Sequence, residues 1–147
     1  MIIKEIHSNK KEYLNILLIG DEDEDMIDKY LDESRLFVLF KNNTAICACA
    51  VIKIDDKTAE IKNLATVFEF QNKGFASRML DFIFEKYKNF EKIILGTGEN
   101  EKTLNFYKKR GFFETGRIKN FFTDNYKKPI FENGKQLVDM IYLEKKI

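Results

Sequence analysis

The segment QNKGFAS, residues 71–77, places a glycine directly before an apolar run with helical spacing. Glycine disfavours helix interiors and is common where the backbone bends or a ligand approaches closely. Because the first N–H groups of a helix are unpaired and that end is slightly positive, a phosphate or pyrophosphate would bind well here. Gly74 and the small Ala76 would leave it room, and Lys73 and Arg78 would add positive charge. The alternative is a plain turn glycine, since the spacing matches neither a Walker A loop nor G-x-G-x-x-G.

A second group of polar residues lies in the segment GENEKTLNFYKKRGF. Asn100, Thr103, Leu104 and Tyr107 fall on one face of the helix that this segment predicts. That face could offer an amide and a phenol to one ligand. Alternatively, Asn100 only caps the helix and Tyr107 belongs to the core beside Phe106.

A carboxylate in the strand-like segment TAEIKNLATVF, directly before QNKGFA, is the third feature. Glu60 is flanked by apolar residues. A carboxylate in a partly dry cleft has a raised pKa and can act as a general base near neutral pH. The alternative is a solvated strand face. The only histidine, His7, lies in a polar N-terminal turn with no evident partner, so we assign it no role.

The composition limits the classes of protein to which this chain can belong. Its 147 residues are close to the usual size of one domain, and 44% are hydrophobic, which is enough for one core. Lys and Arg number 25 against 24 Asp and Glu, so the formal net charge is only +1. A nucleic-acid-binding protein normally has a basic excess. We therefore expect no nucleic-acid partner.

The two cysteines, Cys47 and Cys49, would point to the same face of a strand. Their spacing is neither a CxxC redox pattern nor a metal-binding knuckle, so we expect them in a core. Reduced thiols fit a cytoplasmic protein. The N-terminal MIIKEIHSNKKEYL lacks the apolar stretch of a signal peptide, and no run approaches the roughly 20 apolar residues of a membrane helix. We therefore expect a cytoplasmic protein that does not associate with membranes.

The periodicity of apolar residues predicts eleven elements in the order β-α-α-β-β-β-α-β-α-β-β. A strand, a helix and a strand around residues 59–97 imply one parallel crossover, and the hairpins imply antiparallel pairing elsewhere. We expect one domain, 1–147, with a mixed α/β sheet and helices on both faces. The predicted strands are 1–6, 35–41, 44–54, 58–70, 92–98, 112–118 and 136–143, the helices are 10–20, 21–34, 74–88 and 101–111, and 120–135 is an irregular loop with an Asn133-Gly134 turn.

Taken together, the two motifs resemble those of the GNAT family of acetyl-CoA-dependent N-acetyltransferases. QNKGFA is similar to the family's Q/R-x-x-G-x-G/A loop, and ENEKTLNFYKKRGF is similar to its N-x-x-A-x-x-F/L-Y-x-x-x-G-F helix. The resemblance runs from about Thr58 to Phe112. This chain departs from the commoner pattern with Ala76 in place of Gly and Thr103 in place of Ala. The resemblance implies a mostly antiparallel sheet with a central parallel pair, strands 59–68 and 92–97, that splays apart.

The same resemblance implies roles for individual residues. Asn100 would bond the pantetheine arm, and Tyr107 would protonate the departing CoA thiolate. Glu60 occupies a place similar to that of the base of histone-type relatives; the alternative is that a chain of water molecules serves as the base. An N–H near Val67 would polarise the thioester carbonyl. The strand residues Ala65, Thr66 and Val67 would pair with the pantetheine arm, and the CoA pyrophosphate would lie on the backbone of Gln71, Asn72, Lys73, Gly74, Phe75, Ala76 and Ser77.

The implied reaction transfers an acetyl group from acetyl-CoA to a primary amine by direct attack on the thioester. An ammonium with a pKa near roughly 10 must first lose a proton, and losing one donor to the oxyanion costs roughly 3–4 kcal/mol. No metal is required, which fits the lack of a His/Cys/Asp cluster. The alternative is a non-catalytic acyl-CoA-binding sensor, against which Tyr107 argues, because a binder needs no thiolate acid.

Two acidic or aromatic segments could contact the amine acceptor. DEDED, residues 21–25, could attract a polyamine, a lysine side chain of a protein or an aminoglycoside, or it could be an ordinary acidic helix start. NFFTDNY, residues 120–126, could form an aromatic lid with Asp124 as an acidic anchor, or it could cover a sheet edge. Strand pairing near the C-terminus leaves a homodimer open.

Overall fold

Seven strands form one mixed sheet in the computed structural model, which describes every residue from 1 to 147. The strands are β1 Ile2–Ile6, β2 Arg35–Lys41, β3 Thr44–Lys53, β4 Thr58–Thr66, β5 Lys92–Gly98, β6 Phe113–Ile118 and β9 Met140–Lys146, with β7 Phe131–Glu132 and β8 Lys135–Gln136 in a separate hairpin. The order in the sheet is β1-β2-β3-β4-β5-β9-β6. Only β4 and β5 pair in parallel, and they do so at the centre of the sheet.

Helices cover both faces of the sheet. They are α1 Leu14–Gly20, α2 Glu24–Asp28, α3 Phe75–Lys86, α4 Glu101–Lys109 and α5 Phe121–Asn125. On one face α3 buries Met79 and Ile83 in a core that also contains Tyr107 of α4, and on the other α1 and α2 bury Ile16 and Ile27. The stripe of α3 at Phe75, Met79, Leu80 and Ile83 is buried, as its spacing predicts. The predicted fold class is therefore confirmed: a mostly antiparallel mixed sheet with a central parallel pair and helices on both faces.

The central pair separates partway along its length. The strands β4 and β5 pair only from Thr58 to Ile61 against Lys92 to Leu95. At this point the register of β4 against β3 shifts, which leaves Lys62 as an extra residue in β4. Such a bulge bends the strand that carries it. The rest of β4 therefore runs beside β5 without pairing with it, which is the splay that we expected.

The cysteine prediction is confirmed. Cys47 and Cys49 are free thiols, fully buried in the core under α3. Burial raises the pKa of Cys47 to about 11, so this thiol is protonated at neutral pH. None of the helices has the length and apolar character needed to span a bilayer.

The helix predicted over 21–34 is too long. The structure has only α2 there, and residues 29–34 form turns. The Lys10 Nζ donates hydrogen bonds to the carbonyl oxygens of Leu31, Asp32 and Ser34, at 3.2, 3.1 and 2.6 Å. In a longer helix these carbonyl oxygens would accept hydrogen bonds from backbone N–H groups. Here the side chain of Lys10, which is distant in sequence, binds them instead.

The strand predicted over 58–70 is also too long, because β4 ends at Thr66. A 3-10 turn follows at Phe68–Phe70. The Gln71 side chain donates to the carbonyl oxygen of Thr66 at 3.0 Å and so caps the end of the strand. This compact turn brings the Q-N-K-G loop back to the sheet directly beside the splay.

The segment 120–135 was wrongly expected to be irregular throughout. It contains α5 and the β7–β8 hairpin, whose tip is the predicted Asn133-Gly134 turn with φ of 50° and 77°. Phe122 is buried, and its N–H donates to Val138 O at 2.9 Å. The segment therefore folds back onto the sheet and is held there.

The last strand starts later than predicted for the same reason. The N–H of Leu137 donates to Ile130 O at 2.8 Å, so residues 137 and 138 pair with the returning segment. The strand β9 begins only at Met140 and continues to Lys146, instead of covering 136–143. It inserts between β5 and β6.

Candidate active site

A cleft of about 890 Å³ opens where β4 and β5 separate. Its walls are the two separated strands, the first turn of α3, one side of α4, and the C-terminal end of α1 together with the β7–β8 hairpin. The charged lining residues are Glu22, Lys62, Lys102 and Glu132. The cleft thus joins an exposed helix N-terminus, two strand edges and an acidic end.

The first turn of α3 is open to this cleft. Gly74 is the N-cap residue with φ of +88°, a left-handed conformation that favours glycine, and no side chain caps the helix. A Cβ added at Gly74 would meet no atom within 4 Å. Phe75, Ala76 and Ser77 line the cleft directly after it. Gly74 therefore both makes a turn and leaves the unpaired N–H groups accessible, so an anion fits here.

Most of the predicted cofactor-binding residues lie together at this cleft, but four residues with predicted roles do not line it, one of which is the exposed Arg78. Glu60 is buried beside it. Lys73 is exposed, with its Nζ 5.6 Å from the centroid of the Phe70 ring. The Val67 N–H donates to Ile46 O at 2.9 Å. The lining residues that the sequence predicted are Ala65, Thr66, Gln71, Asn72, Gly74, Phe75, Ala76, Ser77, Asn100 and Tyr107.

The bond of Val67 corrects one expectation. Its N–H pairs with β3 and is not a free donor for a thioester carbonyl. In an antiparallel pair the hydrogen-bonding direction alternates along the strand. The backbone groups of Ala65 therefore also face β3, which corrects its predicted pairing with the pantetheine arm, whereas those of Leu64 and Thr66 face the side where β5 has left. Leu64 also lines the cleft and was not among the predicted residues.

Tyr107 lies in the wall formed by α4. The residue is only 8% exposed, and its ring packs edge-on against Phe106 and Phe112. Burial raises the pKa of Tyr107 well above its ordinary value. The phenol is therefore protonated at neutral pH and can act as a proton donor. Both readings of Tyr107, as a core residue and as a cleft residue, hold at once.

Asn100 caps α4, as one alternative predicted, and also lines the cleft. Its Oδ1 accepts hydrogen bonds from the N–H groups of Lys102 and Thr103, at 3.0 and 3.5 Å, which caps α4. Its Nδ2 donates to Glu132 Oε1 at 3.3 Å, and its Oδ1 accepts from Asn133 Nδ2 at 3.3 Å. Asn100 thus ties α4 to the β7–β8 hairpin while lining the cleft.

Glu60 is not on a solvated face. It is 7% exposed, and its Oε2 accepts a hydrogen bond from Tyr142 at 3.0 Å and a weaker one from Lys62 at 3.4 Å. A Cβ added at Gly96 would overlap Met140 Sδ and come within 3.1 Å of Tyr142 Cε2. The missing side chain of Gly96 therefore lets the Tyr142 ring cross β5 and reach the carboxylate.

The acidic end of the cleft is built by two segments that are far apart in sequence. Asp21 accepts hydrogen bonds from Tyr30 at 3.0 Å and from Tyr126 at 2.7 Å, which joins the α1–α2 turn to the segment after α5. Glu22 lines the cleft, and burial, followed by the charges of Glu132 and Asp21, raises its pKa. Within DEDED, Asp23 caps α2, as expected of an acidic helix start, while Glu22 faces the cleft.

The predicted aromatic lid at 120–126 does not reach the cleft. Phe121, Phe122 and Tyr126 pack against one another, and Asp124 is exposed. Phe131 and Glu132 line the cleft instead. Sequence patterns gave no sign of this, because the hairpin that carries them has strands of only two residues.

Comparisons with known proteins agree with this geometry. Residues 4–112 match the model of the acetyltransferase (GNAT) family. An uncharacterized N-acetyltransferase of Bacillus subtilis (strain 168), YvbK, is 31% identical over 135 residues, which are 90% of this chain and 87% of that protein.

Two solved structures are similar over almost their whole length. One is a GNAT family acetyltransferase from Elizabethkingia anophelis with acetyl-CoA bound, at 36% identity and a TM-score of 0.94, with 99% of this chain and 97% of that chain covered. The other is a Bacillus subtilis acetyltransferase in complex with CoA, at 29% identity and a TM-score of 0.90, with 99% and 97% covered. This chain therefore belongs to the GNAT family of acetyltransferases and is an acyltransferase.

Proposed function

We propose that this enzyme transfers the acetyl group of acetyl-CoA to a primary amine by direct attack of the amine on the thioester. The observation that carries the proposal is the cleft itself, which has the uncapped first turn of α3 at one end, the buried phenol of Tyr107 in its wall and carboxylates at the other end. The acetyl-CoA bound to the similar protein from Elizabethkingia anophelis supports the choice of cofactor.

The binding groups are mainly backbone. Gln71 to Ser77 would hold the pyrophosphate, because the N–H groups at the start of α3 have no partner within the helix. The Gln71 side chain already occupies the Thr66 carbonyl. The remaining edge of β4 that faces away from β3, at Leu64 and the Thr66 N–H, would pair with the pantetheine arm, since β5 does not pair there. One of its outward-facing N–H groups would polarise the thioester carbonyl. Asn100 would contact the arm through its amide.

Two side chains would move protons. Tyr107 would give its phenol proton to the CoA sulfur as the thiolate leaves, a role for which its burial and protonated state suit it. Glu60 would take the proton of the attacking ammonium, through water since it does not line the cleft. The acetyl carbon exchanges its bond to sulfur for a bond to nitrogen. The nitrogen loses a second proton as the amide forms, which restores the Tyr107 phenol, and Glu60 passes its proton to solvent. The products are the amide, the CoA thiol and one released proton.

The acceptor would be a cationic amine. Glu22 and Glu132 line the end of the cleft formed by α1 and the β7–β8 hairpin. Neither forms a salt bridge with a lysine or arginine of the chain; Glu132 accepts a hydrogen bond from Asn100. Polyamines, aminoglycosides and lysine side chains share this chemistry. The buried reduced cysteines support a cytoplasmic setting, and the single sheet that contains both β1 and β9 supports one domain over 1–147.

The first test is a calorimetric titration with acetyl-CoA, with ATP and NAD as controls. We expect selective binding of acetyl-CoA, and then release of CoA thiol with some members of a panel of primary amines. Mono- and diamines of equal length should differ, with the diamine giving the lower KM. Absence of acetyl-CoA binding would refute the proposal, while binding without thiol release on any amine would favour the non-catalytic sensor.

A further inference from the structure

Two cationic side chains line the cleft, and they differ in what surrounds them. Lys62 lies 3.4 Å from Glu60 and over the ring of Tyr30, so its charge is already paired. Lys102, on the side of the cleft formed by α4, forms no salt bridge with any carboxylate, although the structure contains fourteen such pairs. An unpaired lysine at the wall of an otherwise acidic cleft is available for an anion.

Lys102 belongs to a stripe on α4. Phe106 lies one turn later on the same side and also lines the cleft, and Arg110 follows one turn after that. Arg110 donates a hydrogen bond to Ser77 O at 3.1 Å and contacts Asp81, which fixes this end of the stripe beside the first turn of α3. The Arg110 end of the stripe therefore lies beside α3, and Lys102 lies two turns earlier, about 12 Å away along the helix axis.

A neighbouring face of α4 carries the residues assigned to the pantetheine arm. Asn100, Thr103 and Tyr107 line the deeper part of the wall, with Asn100 and Tyr107 buried. The Lys102 side is exposed, while Phe106 is half-buried and fixed edge-on against Tyr107 at 5.2 Å between centroids. The wall formed by α4 therefore has two strips: a buried one suited to the acyl arm and a more exposed one with an aromatic ring and a free cation.

The adenosine 3′-phosphate of acetyl-CoA matches the exposed strip. It combines an aromatic base with a phosphate that carries a charge of about −1.5 to −2 near neutral pH, by analogy with other phosphate monoesters. A lysine binds phosphate as a point charge, and a base stacks on an aromatic ring without regard to its identity. We propose that Lys102 binds the 3′-phosphate of acetyl-CoA and that Phe106 stacks with its adenine. The inference rests on the proposed use of acetyl-CoA.

Three ligands test this assignment by calorimetry: CoA, 3′-dephospho-CoA and 4′-phosphopantetheine. We expect the wild-type enzyme to bind CoA about tenfold more tightly than 3′-dephospho-CoA at low salt, and this preference should shrink as salt is added. Lys102→Met should bind both with the affinity that the wild type has for 3′-dephospho-CoA. Lys109→Met is the matched control, because Lys109 is exposed on the same helix, forms no salt bridge and does not line the cleft.

Phe106→Leu tests the second half of the inference. It should leave the ratio between CoA and 3′-dephospho-CoA unchanged, while it reduces the preference for 3′-dephospho-CoA over 4′-phosphopantetheine. Circular dichroism of each variant identifies any that fails to fold. If Phe106→Leu does not fold, the milder Phe106→Tyr replaces it, and this variant should retain the preference for 3′-dephospho-CoA over 4′-phosphopantetheine.

The outcomes distinguish failure of the proposed 3′-phosphate site from failure of acetyl-CoA binding itself. If Lys102→Met keeps the wild-type ratio, or if the wild type binds CoA and 3′-dephospho-CoA equally, the 3′-phosphate has no site on Lys102 and the inference is overturned, while acetyl-CoA use stands. If the wild type binds none of the three ligands, the proposed function itself is overturned.

Discussion

The hydroxyl of Tyr142 donates a hydrogen bond to Glu60 Oε2 at 3.0 Å across the intervening strand β5, at the place where β4 and β5 cease to pair. The two residues are 82 positions apart in sequence. Burial, followed by the charge of Glu60, raises the pKa of Tyr142 to about 12. The bond therefore persists through the neutral range. It holds the carboxylate at the base of the splay through one oxygen and leaves Oε1 free of side-chain partners.

The hydrogen bond from Tyr142 allows a test of whether Glu60 acts as a general base or only holds β9 against β4. If Glu60 takes the proton of the amine, Glu60→Gln should lower kcat by about 10²-fold or more with unchanged acetyl-CoA affinity. Tyr142→Phe should cost much less turnover, because the carboxylate remains. Steady-state kinetics and calorimetry check both variants. Equal, small losses of turnover in the two variants would make Glu60 only a partner that holds β9 against β4.

Tyr107→Phe tests the proton donor to the CoA thiolate. The variant should bind acetyl-CoA as the wild type does, because the ring and its packing remain, but single-turnover acetyl transfer should slow by about 10²-fold. Since the pKa of Tyr107 is raised, its deprotonation should not limit the wild-type rate at any pH below 10. Tyr13→Phe is the control, because Tyr13 does not line the cleft. Unchanged turnover in Tyr107→Phe would remove this residue from the mechanism.

Local patterns in the sequence predicted what depends on nearby residues. The periodicity placed α3 within two residues of its ends, and the strand-helix-strand order over 59–97 predicted the parallel pair. The two motifs brought Gly74, Asn100 and Tyr107 to one cleft. These features follow from spacing along one element or from one short connection, so the sequence is sufficient for them.

Long-range contacts were beyond such patterns. The insertion of β9 between β5 and β6, the bond from Tyr142 to Glu60 and the bond from Tyr126 to Asp21 join residues with no common period. Glu132 reaches the cleft only because the returning segment after α5 is held by such contacts. The position of Lys102 was missed because a lysine at the start of a helix is ordinarily a solvated residue.

Gly74→Glu should abolish acetyl-CoA binding. The new side chain would enter the open space beside the first turn of α3 and bring a negative charge to the position proposed for the pyrophosphate. Gly74→Ala is the control, because both variants share the strain of a positive φ and only the glutamate fills and charges the site. Calorimetry should show weaker binding for the alanine variant and none for the glutamate variant. Intact binding in Gly74→Glu would exclude the phosphate loop.

Asp21→Asn should change how stability depends on pH. Burial raises the pKa of Asp21 in the folded protein, despite the hydrogen bonds from Tyr126 and Tyr30. Ionisation of Asp21 therefore lowers the free energy of unfolding. The stability that the protonated carboxyl provides is fully present below the ordinary pKa of about 3.8 and is lost as pH rises through the raised pKa. The stability of Asp21→Asn relative to the wild type should thus increase as pH rises above about 4. Urea unfolding across this range measures it, and a pH-independent difference would contradict it.

Gly20→Ala should destabilise the wall between α1 and β4. A methyl group there would overlap Asn63 Oδ1, a buried oxygen with no hydrogen-bond partner, and come within 3.2 Å of Ala65 Cβ. Moving Asn63 would strain its bonds to Leu17 O at 2.9 Å and to the Tyr30 hydroxyl at 3.1 Å. Overpacking of this kind costs about 1–3 kcal/mol.

The matched control for this change is Gly116→Ala. A Cβ at Gly116 would meet no atom within 4 Å, and φ there is not positive, so alanine should be neutral or slightly stabilising through the unfolded chain. Urea unfolding of the two variants gives the comparison. The amine KM should rise only in Gly20→Ala, because Gly20 and Asn63 both line the cleft. Equal stability of the two variants would mean that α1 moves away from β4 without cost, and that the acceptor end of the cleft is not fixed by this contact.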